Sequence, residues 1–291
     1  MASRKEIIDQ LTPIVQRLAQ RHSWIVGKKS MVLAQIIIES NWLKSAPQNN
    51  VLGIKWTSRY PESRRQMLRT KEWVNGRYVS VKAPFMTYES IEQCIEEGYV
   101  AVLSRPRYKD TRASRDWFEA TNYIRLDGYA TSPSYTKILR NIILRHKLYE
   151  LDWQKNPEEP ISEKAPNFQW RESYSGIQVD GKRYPRIIEP YPELWHNVMR
   201  VAEEIQILRD YYRSPIRAES WFRIAHYNAV IGGASRSQHL AANAIDARPL
   251  FKINMGEFHR KAEELTKFRG FGIGKTLIHM DLRKIPARWI Y

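Results

Sequence analysis

The sequence holds one cysteine, Cys94, in 291 residues. That excludes an internal disulfide and a cysteine-ligated zinc site. No run of about 18 apolar residues is present, so no membrane-spanning helix is expected. The amino-terminal stretch Met1-Ala2-Ser3-Arg4-Lys5-Glu6 reaches charged residues at once and does not read as a secretory signal. Internal repeats and low-complexity tracts are missing. So are zinc-finger spacing, a heptad zipper and the aromatic–glycine pattern of an RNA-binding sheet, and nucleic acid is therefore not expected as the partner.

What the chain does have is positive charge, +16 net. The excess is concentrated early: 25 basic against 14 acidic residues in 1–150, and 22 against 17 in 151–291. Such a surplus favours polyanions, among them nucleic acid, anionic lipid, and the teichoic acids and carboxylates of a cell wall. Hydrophobic content of 43% and charged content of 27% are those of a globular chain. Its length allows two domains, each with its own core.

The run from Asp152 to Pro166 carries Pro157, Pro160 and Pro166 among many charges, with no apolar period. Its composition predicts a linker over 152–167 between domains 1–151 and 168–291. Before it the pattern is mostly helical. Ile7, Ile8, Leu11, Ile14, Val15 and Leu18 recur at helical spacing across Pro13, and Met31 to Ser40 is strongly apolar. Around Asn75-Gly76, the residues Trp73, Val74, Tyr78, Val79 and Val81 signal a hairpin. Helical pattern resumes in 90–103, 114–121 and 134–148. After the linker, 192–209 reads as one long helix, followed by short mixed segments. The expected class is α+β in both halves.

Glu39 is the only acidic residue between Asp9 and Glu62, and it follows Ile36-Ile37-Ile38. A carboxyl at the apolar end of a helix is desolvated, which raises its pKa and keeps it protonated near neutrality. Glycoside cleavage needs such a group to protonate the leaving oxygen. The same position also suits a solvated glutamate that closes a helix.

The wider sequence decides between these. The block Ala34-Gln35-Ile36-Ile37-Ile38-Glu39-Ser40-Asn41-Trp42 is followed by Asn49-Asn50-Val51-Leu52-Gly53-Ile54-Lys55, then Phe85-Met86-Thr87-Tyr88-Glu89-Ser90, Arg107-Tyr108, and Gly128-Tyr129-Ala130-Thr131-Ser132-Pro133-Ser134-Tyr135. In this order, over residues 25–148, they resemble the lysozyme-like N-acetylglucosaminidases of glycoside hydrolase family 73. The resemblance implies a mainly α lysozyme-like domain with a small β-hairpin lobe. Glu39 would be the general acid, and Tyr129 would line the cleft near the scissile bond. Glu72 would be the second carboxylate on the lobe, with Glu62 behind it. The aspartate usual after Ala-Thr is Ser132 here. Trp42, Trp56 and Trp73 could stack on sugar faces or pack in the core.

The second half contains Ser237-Gln238-His239, then Asp246, then His279-Met280-Asp281. Two imidazoles and a carboxylate form a zinc shell with an open position for water, although short spacings of this kind also arise by chance. Around them lie Tyr212-Arg213-Ser214-Pro215, Asn228-Ala229-Val230-Ile231-Gly232-Gly233-Ala234 and Gly272-Ile273-Gly274. From Phe168 to Arg283 the set resembles peptidase family M15, the D-Ala-D-Ala carboxypeptidases and their endopeptidase relatives, and implies an α+β, hedgehog-like zinc peptidase domain. His239, Asp246 and His279 would hold zinc, Arg213 would anchor a substrate carboxylate or oxyanion, and Ser237 would support the site. Many relatives carry an acidic base three residues before the last zinc histidine. That position is Thr276 here, which leaves Asp281 as the acidic candidate, either as base or as partner of a ligand. Ala242 or Asn243 replaces a usual glycine. His196, His226 and His259 are expected at the surface or in packing.

Together the two resemblances imply a monomeric bifunctional hydrolase of bacterial peptidoglycan. The expected assignment is a phage endolysin, made in the host cytoplasm and released through a holin, with its charge drawing it to anionic wall polymers. A phage-tail or flagellar structural component with an accessory lytic domain, and a wall-binding module with an inactive peptidase site, are the alternatives.

Overall fold

The computed structural model describes residues 2–74 and 77–290, leaving aside the side chains of 71–78. The Asn75-Gly76 turn lies outside the described residues. Two compact units are present, Met1–Asp152 and Trp153–Tyr291. Among the described residues, no helix is long and apolar enough to cross a membrane.

In the first unit, α1 (Arg4–Arg21) starts from a capping box: Ser3 Oγ accepts from Glu6 N, and the Glu6 carboxylate accepts from Ser3 N at 2.7 Å. The helix continues through Pro13 and buries Ile7, Leu11, Val15 and Leu18. The central element is α2 (Lys29–Glu39), in which every residue from Ser30 to Ile37 is buried. A helix apolar on all sides belongs inside a core. Its amino end is capped from far along the chain. Asp152 accepts from Ser30 N at 3.2 Å and from the Ser30 hydroxyl, and burial pushes the Asp152 carboxyl up to about 7 against these hydrogen bonds.

The ten-residue strands β1 (Arg65–Val74) and β2 (Arg77–Met86) pair antiparallel as a hairpin. A helical run follows, from α3 (Ile91–Cys94) through a π-helical stretch (Ile95–Val100) into α4 (Ala101–Leu103). Next come α5 (Lys109–Ala113), α6 (Trp117–Leu126) and α7 (Tyr135–Arg145). Cys94 is fully buried, and burial pushes its thiol up to about 11.

The second unit begins where a linker was expected. Residues 152–167 are instead folded: β3 (Pro160–Ser162) and β4 (Ala165–Gln169) form an antiparallel hairpin. Ile161, Ala165 and Phe168 are buried. The indole of Trp153 donates to Ile187 O at 3.0 Å, and the amides of Gln154 and Lys155 donate to the Glu189 carboxylate at 2.8 Å each. Prolines are compatible with a short hairpin because an edge strand leaves donor positions unused. After β5 (Ser175–Val179) and β6 (Lys182–Ile188), a 3-10 turn leads into α8 (Trp195–Tyr212). The remaining elements are β7 (Ile216–Ser220), α9 (Ala225–Val230), β8 (Ala244–Pro249), α10 (Met255–Leu265), β9 (Gly270–Ile273), β10 (Ile278–Asp281) and β11 (Ala287–Ile290).

Five of these strands form one sheet in the order β11-β9-β10-β8-β7, antiparallel except for β11 against β9. Strand alternation sorts its two faces. Ile245, Ala247, Phe271, Ile278 and Met280 are buried on the core side. Asp246, His279 and Asp281 alternate with them on the other face. Both units thus mix helix and strand, as expected.

Because residues 153–165 belong to the second fold, fragment 153–291 should melt cooperatively. Fragment 166–291 loses the buried Ile161 and the Trp153 contact and should be less stable by about 2–4 kcal/mol. Thermal denaturation of the two fragments checks this. Equal melting temperatures would return the segment to linker status.

Candidate active sites

The first site lies at the carboxyl end of α2. Glu39 is its last helical residue and only partly exposed. Burial raises its pKa, while a hydrogen bond donated by the Tyr135 hydroxyl at 3.1 Å pulls the other way. Tyr135 also accepts from Gln35 Nε2 at 3.1 Å, and the Tyr99 hydroxyl donates to Gln35 Oε1. The Tyr129 ring sits 6.1 Å from that of Tyr135, 6.2 Å from Tyr99 and 6.4 Å from Tyr108. The acid therefore faces a wall of tyrosines. Burial, with the neighbouring Glu39 carboxylate adding to it, keeps the Tyr129 and Tyr135 phenols protonated at any ordinary pH.

The segment that presents Tyr129 is clamped by the Arg107 guanidinium, which donates to Asp127 O at 2.8 Å and Gly128 O at 3.0 Å. Gly128 has φ +83°, a conformation that favours glycine, and a Cβ there would require the Arg107 guanidinium to shift. Ser132, in place of the usual aspartate, shares a 2.8 Å hydrogen bond with Ser134. Glu62 is exposed and bonds to Arg65 at 3.0 Å. Glu72 lies on β1 opposite Val79, with its side chain outside the described ones. No carboxylate is hydrogen-bonded to Glu39 among the described residues. Trp42 packs under the Arg4 guanidinium, and the Trp56 indole donates to Pro61 O at 3.1 Å.

The second site joins a turn to two strands. His239 sits in a 3-10 turn (Gln238–Ala241), while Asp246 on β8 and His279 on β10 are direct partners in antiparallel register. Their ligand atoms all lie within 4.8 Å of one another. His239 Nε2 is 3.1 Å from Asp246 Oδ1 and 3.1 Å from His279 Nδ1, and the latter is 2.9 Å from Asp246 Oδ1.

Every other heteroatom of the three has its own partner. His239 Nδ1 is 2.5 Å from Trp221 O, Asp246 Oδ2 accepts from Arg223, and His279 Nε2 is 2.9 Å from Asp281 Oδ2. Burial lowers the pKa of His239. Burial alone would raise that of Asp246, but His239, His279 and Arg223 outweigh it and keep the group a carboxylate. Three inward donors with fixed outer partners fit a divalent metal of the zinc type.

Asp281 is fully buried and receives hydrogen bonds from Arg283 at 2.7 and 2.5 Å, besides touching His279. It is committed to orienting His279, which does not suit the role of a free base. Thr276 is exposed. Two glycines of β9 make room for this arrangement. A Cβ on Gly270 would come within 2.3 Å of Asp281, and one on Gly272 within 2.5 Å of Trp289, whose ring packs 5.1 Å from His279. Ser237 Oγ accepts from His239 N at 3.4 Å. Ala242, one of the two positions at which the resemblance implies a glycine, adopts a left-handed φ of 52°.

Arg213 is not brought to this site. It caps α8 and lines a separate cavity with Asn167, Arg209 and Asp210. It precedes the Ile216 end of β7, whereas Asp246 pairs with Ser220 at the other end. The guanidinium at the donor set belongs to Arg223, which also donates to Ser220 Oγ at 2.7 Å. Gln35 and Tyr135 fall inside the ordered motif blocks without a role of their own, and Arg223 lies in none of them.

A partly buried acid among phenols and a clustered His-Asp-His donor set are groups of the kind that acid-catalysed and metal-assisted hydrolysis use. Residues 12–148 match the family described as mannosyl-glycoprotein endo-beta-N-acetylglucosaminidase, and residues 169–281 match peptidase M15. The chain carries a glucosaminidase-family domain followed by an M15 peptidase-family domain. It is 32% identical over 133 residues to a probable N-acetylmuramidase of Lactococcus lactis, covering 42% of this chain and 30% of that protein. It is 31% identical over 139 residues to the peptidoglycan hydrolase FlgJ of Salmonella typhimurium, covering 45% of this chain and 43% of that protein. The chain thus spans well under half the length of both curated relatives. The solved glycoside hydrolase domain of Salmonella typhimurium FlgJ aligns with a TM-score of 0.42 at 26% identity, covering 50% of this chain and 99% of that one.

Two outcomes follow from the geometry. Asp281→Asn should weaken zinc affinity by roughly 10–100-fold, because it loosens the orientation of His279. Competition with a chromophoric chelator measures this, and an unchanged affinity would count against the orienting role. Tyr135→Phe removes the hydrogen bond that lowers the Glu39 pKa. An acid is active while protonated, so the alkaline limb of the glycan-cleavage pH profile should move upward in the variant. A downward shift would contradict the assignment.

Proposed function

We propose that the chain is a bifunctional peptidoglycan hydrolase. The observation that carries this is the presence, in one basic chain, of a desolvated carboxylic acid beside phenols and a His-Asp-His metal site. Similarity to a peptidoglycan hydrolase and to a probable N-acetylmuramidase supports the wall as substrate.

In the first unit, Glu39 donates a proton to the leaving glycosidic oxygen. Burial raises its pKa, which favours the protonated form that this step needs. Tyr135 holds the carboxyl in one orientation, and Tyr129 lines the sugar's approach. The proposed bond is the β-1,4 linkage that follows N-acetylglucosamine. In the second unit, His239, Asp246 and His279 would hold zinc, which supplies Lewis acidity and water activation for cleavage of a stem or cross-link peptide bond. Asp281 and Arg283 fix His279, and Arg223 fixes Asp246. The finer role we infer is that of an endolysin, released through a holin and drawn to an anionic wall by its charge. Cofractionation of the protein with virions would point instead to a tail component.

Purified walls provide the test. Glu39→Gln should abolish new reducing ends while new amino groups continue to form, since an amide cannot act as the acid. Chelation of metal, or His239→Ala, should do the reverse. Mass spectrometry should find N-acetylglucosamine at the reducing termini; N-acetylmuramic acid there would reassign the bond. Reducing ends released by folded Glu39→Gln at the wild-type rate would overturn the acid's role. Peptide cleavage in verified metal-free protein would overturn the metal's.

A further inference from the structure

The chain leaves Glu39 through an unusual turn. Asn41, Trp42 and Leu43 all have left-handed backbones, with φ of 47°, 59° and 57°. Trp42 N donates to Ile37 O at 2.9 Å, which ties the turn to the end of α2. Three consecutive residues in this region are costly for side chains other than glycine. Trp42 lines a cavity of about 270 Å³ together with Arg4, Ile138, Asn141, Ile142, Arg145 and His146. Tyr135, the partner of Glu39, begins the same helix, α7, that supplies most of this lining.

The cavity has one sign of charge. The Arg4 guanidinium lies 4.9 Å over the Trp42 ring, and the His146 imidazole meets that ring edge-on at 5.2 Å. No acidic side chain lines it among the described residues. Asp9 and Glu150 line a neighbouring cavity on the other side of His146. Neither Arg4 nor Arg145 has an ion-pair partner among the described residues. Burial lowers the His146 pKa, and the positive charges of Arg4 and Arg145 add to it. An anion would relieve that repulsion.

We propose that this cavity is an accessory subsite for a phosphodiester of an anionic wall polymer, held by Arg4, Arg145, His146 and Asn141 over the apolar floor of Trp42, Ile138 and Ile142. The donors suit the free oxygens of a phosphodiester, and the floor suits the carbon skeleton of the polyol between successive phosphates. Trp42 therefore serves as part of an anion site rather than as an open sugar platform, since Arg4 covers one of its faces. The assignment rests on the wall-hydrolase reading for the identity of the polymer, but not for the existence of the site.

The test uses the full chain and a synthetic glycerol phosphate oligomer, which has neither bond that the two active sites cut. Titration calorimetry compares wild type with Arg4→Ala/Arg145→Ala and with a charge-matched control, Lys252→Ala/Lys275→Ala. The cavity variant should bind about tenfold more weakly or worse, and the control should stay within about twofold. Adding the oligomer should also shift the imidazole resonances of His146 in wild type, assigned with His146→Gln. Equal losses in both double variants would reduce the effect to net charge and overturn the proposal. So would equally tight binding of polyglutamate of the same charge, or binding that leaves His146 unmoved. On walls stripped of phosphate polymers the cavity variant should cut the glycan as wild type does. Failure of wild type to cut them would count against the hydrolase reading while leaving the binding result standing.

Discussion

Removing a polar group from water without giving it a partner costs several kcal/mol, and both sites are arranged around that constraint. In the first, the apolar helix α2 delivers a carboxyl to a partly buried position, where one phenol from α7 is its hydrogen-bond partner. In the second, three metal-type donors turn one atom inward while a backbone carbonyl, a guanidinium and a carboxylate hold their outer atoms. The outer partners are themselves satisfied, Asp281 by Arg283 and Arg223 by Ser220. The difference in outcome follows from this. Burial beside a single phenol raises the pKa of Glu39, while His239, His279 and Arg223 lower that of Asp246 and suit it to metal ligation.

Register does the rest in the sheet. Pairing of β8 with β10 puts Asp246 directly opposite His279, and the same register puts Ile245 opposite Met280 in the core. A slip of one residue would exchange the ligands for the core. The flanking strand β9 takes part through what it lacks: Gly270 and Gly272 are neighbours of Asp281 and His279, and the missing side chains are the space that Asp281, Arg283 and Trp289 occupy.

Much of this was legible in the amino-acid order. Isolation of Glu39 behind three isoleucines predicts desolvation, and the ordered motifs predict the His239, Asp246 and His279 grouping that the fold assembles. Alternation along an extended strand puts Asp281 on the face of His279, although it could not tell a base from an orienting partner, because Arg283 decides that by occupying the carboxylate. Arg213 and Arg223 flank β7 in sequence, and only the strand pairing reveals that Asp246 lies opposite its Ser220 end, on the side of Arg223. The segment from Asp152 to Pro166 misleads by composition. Its prolines and charges are those of a linker, but Ile161 and Ala165 are enough to seat a short hairpin. Hydrogen bonds across long separations, such as Tyr135 to Glu39 and Asp152 to Ser30, leave no local trace.

The single cysteine carries a last consequence. Cys94 is fully buried, and its thiol remains protonated at physiological pH; a buried protonated thiol is a poor nucleophile and a poor target for oxidants. With no second cysteine to pair with, the fold contains no covalent crosslink that could be made or broken by a change in redox potential. The same native state is therefore available on either side of a boundary between reducing and oxidising surroundings, without a chaperone for disulfide exchange.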